Sequence, residues 1–547
     1  MTERTVGAEL SMARSMIPRR TITPTLAGLA VGLCVATTVL AGCGSGSAAS
    51  GVVSGGTFTL AMSSDPGNLD PQASAATNNY QMAFLAYDPL LSVAASGAIR
   101  SELATAWHVD GQQVTLTLHK GITCSDGTAF TAQTAADNIN YVANPKNGSP
   151  FAGVFVPAGA KATADTATNT VSIALPAPAP FILNGLAGVP MVCAKGVADR
   201  KLLAGSTDGT GAYKLTQATP GDQYTLTKRT GYTWGPDGAS SAQPGLPDKI
   251  VVKIIQNETT AANLLLSGQI NAAAILGPDA KRLTSSNVAA VNVPAVSGEM
   301  WFNQAPGRAG ADRKVRLALT EAVDLGQLEK VLTSGEGQQA TTFAAVPPVA
   351  CPGNSVGKAL PAHNLAQAKA MLDADGWTVG AGGIRAKNGK PLALTFMYAT
   401  QAGTAASAAA DLAAQQWGQL GVKVTLSGQD DTSSTNTLFS TGNWDIAWEP
   451  LNVSTPDQLV GFLSGPPPPT GEDFAHIANA TYTGLVGVAA KSEGAAGCAQ
   501  WLSAESNLVR DADVIPFANQ LEKFFSAGAR FSVVGELLPT SIRMTSH

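Results

Sequence analysis

Few residues in this 547-residue chain have both the type and the spacing for chemistry. Gly353-Asn354-Ser355-Val356-Gly357 matches G-x-S-x-G, the spacing that lifts a serine nucleophile onto a sharp strand-to-helix turn. The proline-rich "AAVPPVACPG" runs into it where a strand should stand, so a secreted serine hydrolase working through Ser355 is the remote reading. No His-Glu-x-x-His, phosphate-binding loop or G-x-G-x-x-G occurs, and the carboxylates are not paired by any motif. The five histidines are scattered and no cysteine pair has zinc spacing, so we expect neither a metal nor a cofactor. The chemistry expected is binding, not catalysis.

One cysteine is placed for a different reaction. Arg14, Arg19 and Arg20 precede an apolar run from Leu26 to Leu40, and Leu40-Ala41-Gly42-Cys43 follows. The layout is that of an export signal. About fifteen apolar residues fall short of the roughly 20 needed for a permanent membrane span. The last four residues resemble the bacterial lipobox, in which the cysteine is acylated and becomes the new N-terminus. Residues 1–42 are then a lipoprotein signal peptide and 43–56, rich in Gly and Ser, a flexible tether. Arg19-Arg20 suggests the twin-arginine route, although "TITPT" fits that motif poorly, and Met12 or Met16 is an alternative start.

Composition narrows the class. A net charge of -5 with 13% charged residues leaves no phosphate-tracking basic face, which argues against nucleic acid. Hydrophobic residues at 45% supply ample core for two or three domains.

The elements that must hold a binding site can be read from periodicity. "TFTLAM" from Thr57 and "VTLTLHKGI" from Val114 alternate as half-buried strands, and "KIVVKII" from Lys249 reads as a more fully buried one. From about residue 300 helical stripes begin. Val315, Ala318, Leu319, Ala322 and Val323 share a face behind Asp312 as N-cap. Leu365, Ala368, Met371 and Leu372 do so behind Asn364, with Gly376 as the stop. An Ala-rich helix at 405–419 then leads through Gly421 into "VKVTL". This alternation is an α/β pattern.

A series of segments resembles the family 5 extracellular solute-binding proteins, the peptide-binding lipoproteins of ABC importers. They are "GGTFTLAMSSDPGNLDPQ" from Gly55, "YDPLL" from Tyr87, "SELATAWHVDGQQVTLTLHKGITCSDGTAFTA" from Ser101, "GTGAYKL" from Gly209 and "LLLSGQINAA" from Leu264. "WFNQAPGRAGADRKVRLALTEAVD" from Trp301, "AKAMLDADGW" from Ala368, "GVKVTL" from Gly421 and "WDIAW" from Trp444 follow in the family's order. The resemblance implies an α/β, two-lobe periplasmic-binding-protein-like fold, class II type in its large three-domain variant, with a ligand cleft between lobes. Lobe 1 would span 57–297 and lobe 2 298–513, with 514–547 returning to lobe 1. It also implies a monomer, lipid-anchored outside the bacterial cell membrane, that hands its ligand to ABC permease subunits and their ATPase. The same fold serves alternatively as a non-transport sensor or envelope-assembly lipoprotein.

Departures from the family pattern bear on the ligand. Dipeptide binders of the family pair the ligand's ammonium with an Asp just after the W-D-x-x-x-W segment, and its carboxylate with an Arg before the Ala-rich helix. Leu451-Asn452 and Thr400-Gln401-Ala402 stand at those positions, with Glu449 as a substitute for the acid. Peptides longer than dipeptides are therefore expected, with a sugar or tetrapyrrole as alternatives. The candidate contacts are Ser63, Ser64, Trp301, Asn303, Tyr398, Trp448, Glu449 and Asn452, neutral or aromatic groups apart from Glu449. With Cys34 in the signal and Cys43 lipidated, Cys124, Cys193, Cys351 and Cys498 remain. Pairing within lobes, Cys124 with Cys193 and Cys351 with Cys498, leaves the hinge free. Replacing Cys43 by Ser should move the protein from the membrane to the soluble fraction without changing its melting temperature. Sedimentation with membranes in high salt would contradict the anchor.

Overall fold

The computed structural model describes residues 51–546 apart from Ala75, Gln401 and Ala402; the signal segment and Cys43 lie outside the described residues. Ten of the described strands form one mixed sheet. In chain order they are β1 (Thr57–Met62), β2 (Tyr213–Thr219), β3 (Gln223–Lys228), β4 (Lys249–Ile254), β5 (Ala272–Ile275), β6 (Ala289–Phe302), β7 (Ala393–Ala399), β8 (Lys423–Gln429), β9 (Ile446–Trp448) and β10 (Val514–Ser526). Their spatial order is β8-β7-β9-β6-β10-β5-β1-β4-β3-β2.

Alternation decides the register. Phe58 and Leu60 of β1 lie opposite Ile250 and Val252 of β4 in a parallel pair, and all four are buried. A one-residue slip would turn this face out to water. The "VTLTL" strand falls in a separate four-stranded antiparallel sheet with Ala104–Asp110, Lys161–Asp165 and Thr170–Ala174. Together with β1 and its neighbours it encloses one core, centred on residues such as Leu116, Ile173, Tyr213 and Leu226.

A second core is built by β7, β8, β9 and four helices. The helices α1 (Arg313–Glu321), α2 (Leu365–Ala374), α3 (Gly403–Leu420) and α4 (Cys498–Arg510) supply Val315, Leu319, Ala368, Leu372, Trp417 and Leu508. Their boundaries follow local chemistry. Asp312 accepts from the Lys314 N–H and Asn364 from the Gln367 N–H, satisfying backbone donors that have no partner in the first turn. Gly376 has φ +86° and Gly421 φ +92°, left-handed values that glycine adopts without strain.

The longest strands lead out of the second core, and β10 ends in a third, smaller one where Phe525 packs with Ala262, Ala273, Ile275 and Leu283. β6 and β10 pair antiparallel from Ala289↔Ser526 to Trp301↔Val514, with register breaks between Val296, Gly298 and Glu299. At one end β10 also pairs with β5, and at the other β6 pairs with β9. The break falls midway between those partners. Gly298 is required there, because an added Cβ would lie 2.6 Å from the Phe517 ring and 2.9 Å from the Ala518 methyl.

Two disulfides staple the cores separately. Cys124 bonds Cys193 in the first and Cys351 bonds Cys498 in the second, with Cα–Cα distances of 6.1 and 5.2 Å. The in-lobe pairing is the one expected above. Sequence separations of 69 and 147 residues make both long loops. Removing either bridge by Cys→Ser should cost about 2–4 kcal/mol of unfolding free energy, read from denaturant melts. Non-reducing peptide mapping should recover these two pairs, and a Cys124–Cys351 peptide would contradict the arrangement.

Candidate functional site

Between the two cores lies a cavity of about 580 Å³. This falls within the range of ligand pockets, roughly 300–1,000 Å³. Its wall from the first core side is aromatic: Tyr80, Phe84, Phe151 and Phe155, with Tyr232 nearby. Tyr80 is fixed by donating its hydroxyl to the Gly188 carbonyl at 2.5 Å, and it stacks near Phe155 with ring centres 6.3 Å apart. The second core contributes two loops, Val346-Pro347-Pro348 and residues 452–458. They are tied to each other, since Val346 N–H donates to the Val453 carbonyl and Ala350 N–H to the Ser454 carbonyl.

Both sides also meet through Phe181. Its residue belongs to the cavity wall, yet its ring sits in the second core, 6.2 Å from Trp501. Beside it the Gly494 N–H donates to the Pro180 carbonyl.

Four acids stand among the polar groups of the wall. Asp88 accepts from the Tyr232 hydroxyl at 3.0 Å and the Trp234 indole N–H at 3.1 Å. Burial nonetheless pushes its carboxyl up. Glu102 lies against it and is pushed well up by burial and then by the Asp88 charge. Asp457 comes from the opposite side, in a turn where the Thr455 hydroxyl donates to it; burial raises it to about 6. Glu536 is also raised well above the carboxylate range by burial, with Glu522 adding repulsion. The guanidinium in the wall, Arg100, already pairs with Asp237 at 3.2 Å.

Of the eight contacts expected from sequence, Asn452 lines this cavity. Its side chain also grips the crossing strand: the Val296 N–H donates to its Oδ1 at 2.7 Å, and its Nδ2 donates to the Val296 carbonyl at 3.3 Å. The other seven stand elsewhere. Trp301 is fully buried, donating to the Glu449 carbonyl at 2.8 Å and packing on Phe474. Asn303 is buried, donating to the Trp444 carbonyl and accepting from the Ala305 N–H. Trp448 is buried between Phe396 and Phe517, with ring centres 4.8 and 5.0 Å away. Sheet positions covered on both faces bury their aromatics, and this is why these two tryptophans pack the core. Tyr398 is half-buried beside Phe396. Glu449 is half-buried, its N–H donating to the Glu299 carbonyl. Ser63 and Ser64 are exposed, and Asn78 donates to the Ser64 hydroxyl at 2.7 Å.

The acids Asp88, Glu102, Asp457 and Glu536 went unread in the sequence. Two of them sit inside quoted motifs, "YDPLL" and "SELATAW", and Asp457 lies nine residues past Trp448, later than the acid was sought. Ser355 is no nucleophile. It is buried, and its hydroxyl donates to the Glu505 carboxyl, where an elbow would expose it.

The crossing itself carries a buried acid. Glu299 accepts from the Leu451 N–H at 3.0 Å; burial raises it to about 8, with Glu449 and Glu505 adding repulsion. Burial likewise lifts Glu505 to about 7. The folded state then binds these protons more tightly than the unfolded chain, so their stabilisation holds at acidic pH and fades as pH rises through 7 and 8. The melting temperature should fall between pH 5 and pH 8.5, and Glu299→Gln should flatten that fall. A melting temperature rising over this range would contradict the assignment.

Comparison with known proteins gives a consistent set. Residues 98–464 match the sequence pattern of the bacterial extracellular solute-binding proteins, family 5. The periplasmic murein peptide-binding protein MppA of Escherichia coli (strain K12) is 28% identical over 408 residues, 70% of this chain and 72% of its own. The nickel-binding periplasmic protein of the same organism is 27% identical over 383 residues, 64% of this chain and 67% of its own. A substrate binding protein from Microbacterium hydrocarbonoxydans, solved with 4-hydroxybenzoate hydrazide, superposes with a TM-score of 0.69. It has 25% identity, with 89% of this chain and all of that one covered.

Proposed function

The chain belongs to the family 5 bacterial extracellular solute-binding proteins, the ligand-capturing components of ABC importers, and from that premise we propose that it captures short peptides longer than dipeptides. It binds them in the cavity between two lobes and passes them to a permease after closure. No helix among the described residues is long and apolar enough to cross a membrane. The lipid expected on Cys43 would supply membrane attachment, and the protein works outside the cytoplasm as a monomer; the tether expected over 43–56 is shorter at its far end, because the Val53 N–H donates to the Met544 carbonyl and the Gly55 N–H to the Leu246 carbonyl. The lobes divide at the register break in β6, close to residues 297 and 298, and residues 514–547 return to the first.

One observation carries the ligand reading: the cavity wall holds acids and aromatic rings, and its lone guanidinium is engaged by Asp237. A dipeptide confined there would bring its carboxylate close to Asp88, Glu102, Asp457 or Glu536 with no free cation to meet it. Burying such a charge unpaired costs several kcal/mol. A longer peptide keeps its C-terminus in water and seats its ammonium and backbone N–H groups among the acids. The aromatic wall adds apolar contact without demanding a side-chain sequence. The hydrazide held by the Microbacterium protein favours a second reading, a small aromatic amide or hydrazide, which the same rings would flank.

A thermal-shift screen decides between them. Tri- and tetrapeptides should raise the melting temperature, by the equivalent of about 2.7 kcal/mol at a hundredfold excess over the dissociation constant. Dipeptides should bind no tighter than about 1 mM. Stabilisation by 4-hydroxybenzoate hydrazide and not by any peptide would replace the peptide reading with the second one.

A further inference from the structure

The walls of the cavity contain a group that the protein leaves without a partner. Glu536 follows Gly535 in the C-terminal segment and is 9% exposed, facing the cavity. No donor among the described residues reaches its carboxyl, and the groups that influence it are Glu522 on β10 and the Tyr80 ring. Asp88 differs in holding two donors, from Tyr232 and Trp234. A buried carboxyl without donors is a standing cost unless something else satisfies it. Here that something has room to enter, since the carboxyl borders a cavity of about 580 Å³.

We propose that this cavity selects organic ligands with a buried cationic group, an ammonium or guanidinium seated against Glu536 beside the Tyr80 ring. The proposal rests on the solute-capture reading and adds the charge class of the ligand. The surrounding rings support it, because Tyr80, Phe151 and Phe155 offer π faces to a cation that has shed its water. The wall's lone guanidinium argues the same way: Arg100 is held by Asp237 and leaves the acids to the ligand. A neutral ligand of the same shape gains the aromatic contact but leaves Glu536 as it was.

The test uses two matched pairs on the full chain by calorimetry. One pair is acetyl-Ala-Lys-Ala-amide against acetyl-Ala-norleucine-Ala-amide, in which the lysine ammonium is the sole charge; the other is tyramine against 4-propylphenol. In at least one pair the cation should bind about tenfold tighter or more. Glu536→Gln should erase that preference while leaving the neutral partner's affinity unchanged, and its melting temperature should not drop, which separates loss of charge from loss of fold. Equal or weaker binding of the cation in both pairs, no cation binding at all, or a preference that survives Glu536→Gln overturns the proposal. A preference seen with tyramine when neither peptide binds upholds it and sinks the peptide reading. Peptides bound without regard to charge, together with no preference for tyramine, would uphold the peptide reading and overturn the proposal.

Discussion

The structure depends on one antiparallel strand pair. β6 and β10 lead from the second core to the place where β10 pairs with β5, the neighbour of β1, so their ladder joins the two halves of the ten-stranded sheet. The ladder loses register where the sheet passes from β5 on one side to β9 on the other. A bulge of this kind bends and twists a strand locally, which makes the middle of the pair its most compliant point. Gly298 fits there because Phe517 and Ala518 leave no space for a side chain. The flanking supports are side chains and loops. Asn452 brackets the Val296 peptide on one edge, and Gln338 exchanges backbone hydrogen bonds with Asn519 on the other.

This arrangement links the ligand site to the hinge without any long path. The loop that carries Asp457 into the cavity begins at Asn452, and Asn452 holds the bulge. Leu451, one residue earlier, donates to Glu299 inside the crossing. Movement of that loop against a ligand therefore acts directly on the point where the strand pair bends. The buried acids share a cause. The cavity and the crossing are both walled by packed apolar surface, and desolvation there outweighs the hydrogen bonds available. Such groups are kept at the expense of stability, which fits a site that waits for a partner.

Much of the framework was legible in the sequence because it is set by local periodicity. The alternation of Phe58, Leu60 and Met62, the caps Asp312 and Asn364, and the stops at Gly376 and Gly421 all act within one element. The order of the quoted segments carried the family. The site was far less legible. Its residues come from 77–102, 150–188, 232–236, 346–348, 452–458 and 534–540, brought together only by the completed sheet. Aromatic residues on strands read equally well as wall or as core, and tertiary covering of both sheet faces sent Trp301 and Trp448 to the core. Asp457 lies past the 451–452 window in which an acid was expected, on the same loop that brings Asn452 to the cavity wall. Glu536 lay in a segment with no motif at all.

The central claim is that a ligand is held by both lobes at once, across the crossing strands. Hydrogen exchange with and without a saturating peptide that raises the melting temperature tests this most directly. The account predicts slowed exchange together in residues 77–102, 452–458 and 534–540, and at the β6–β10 bulge. Protection confined to one lobe, or lying outside this cavity, would contradict it.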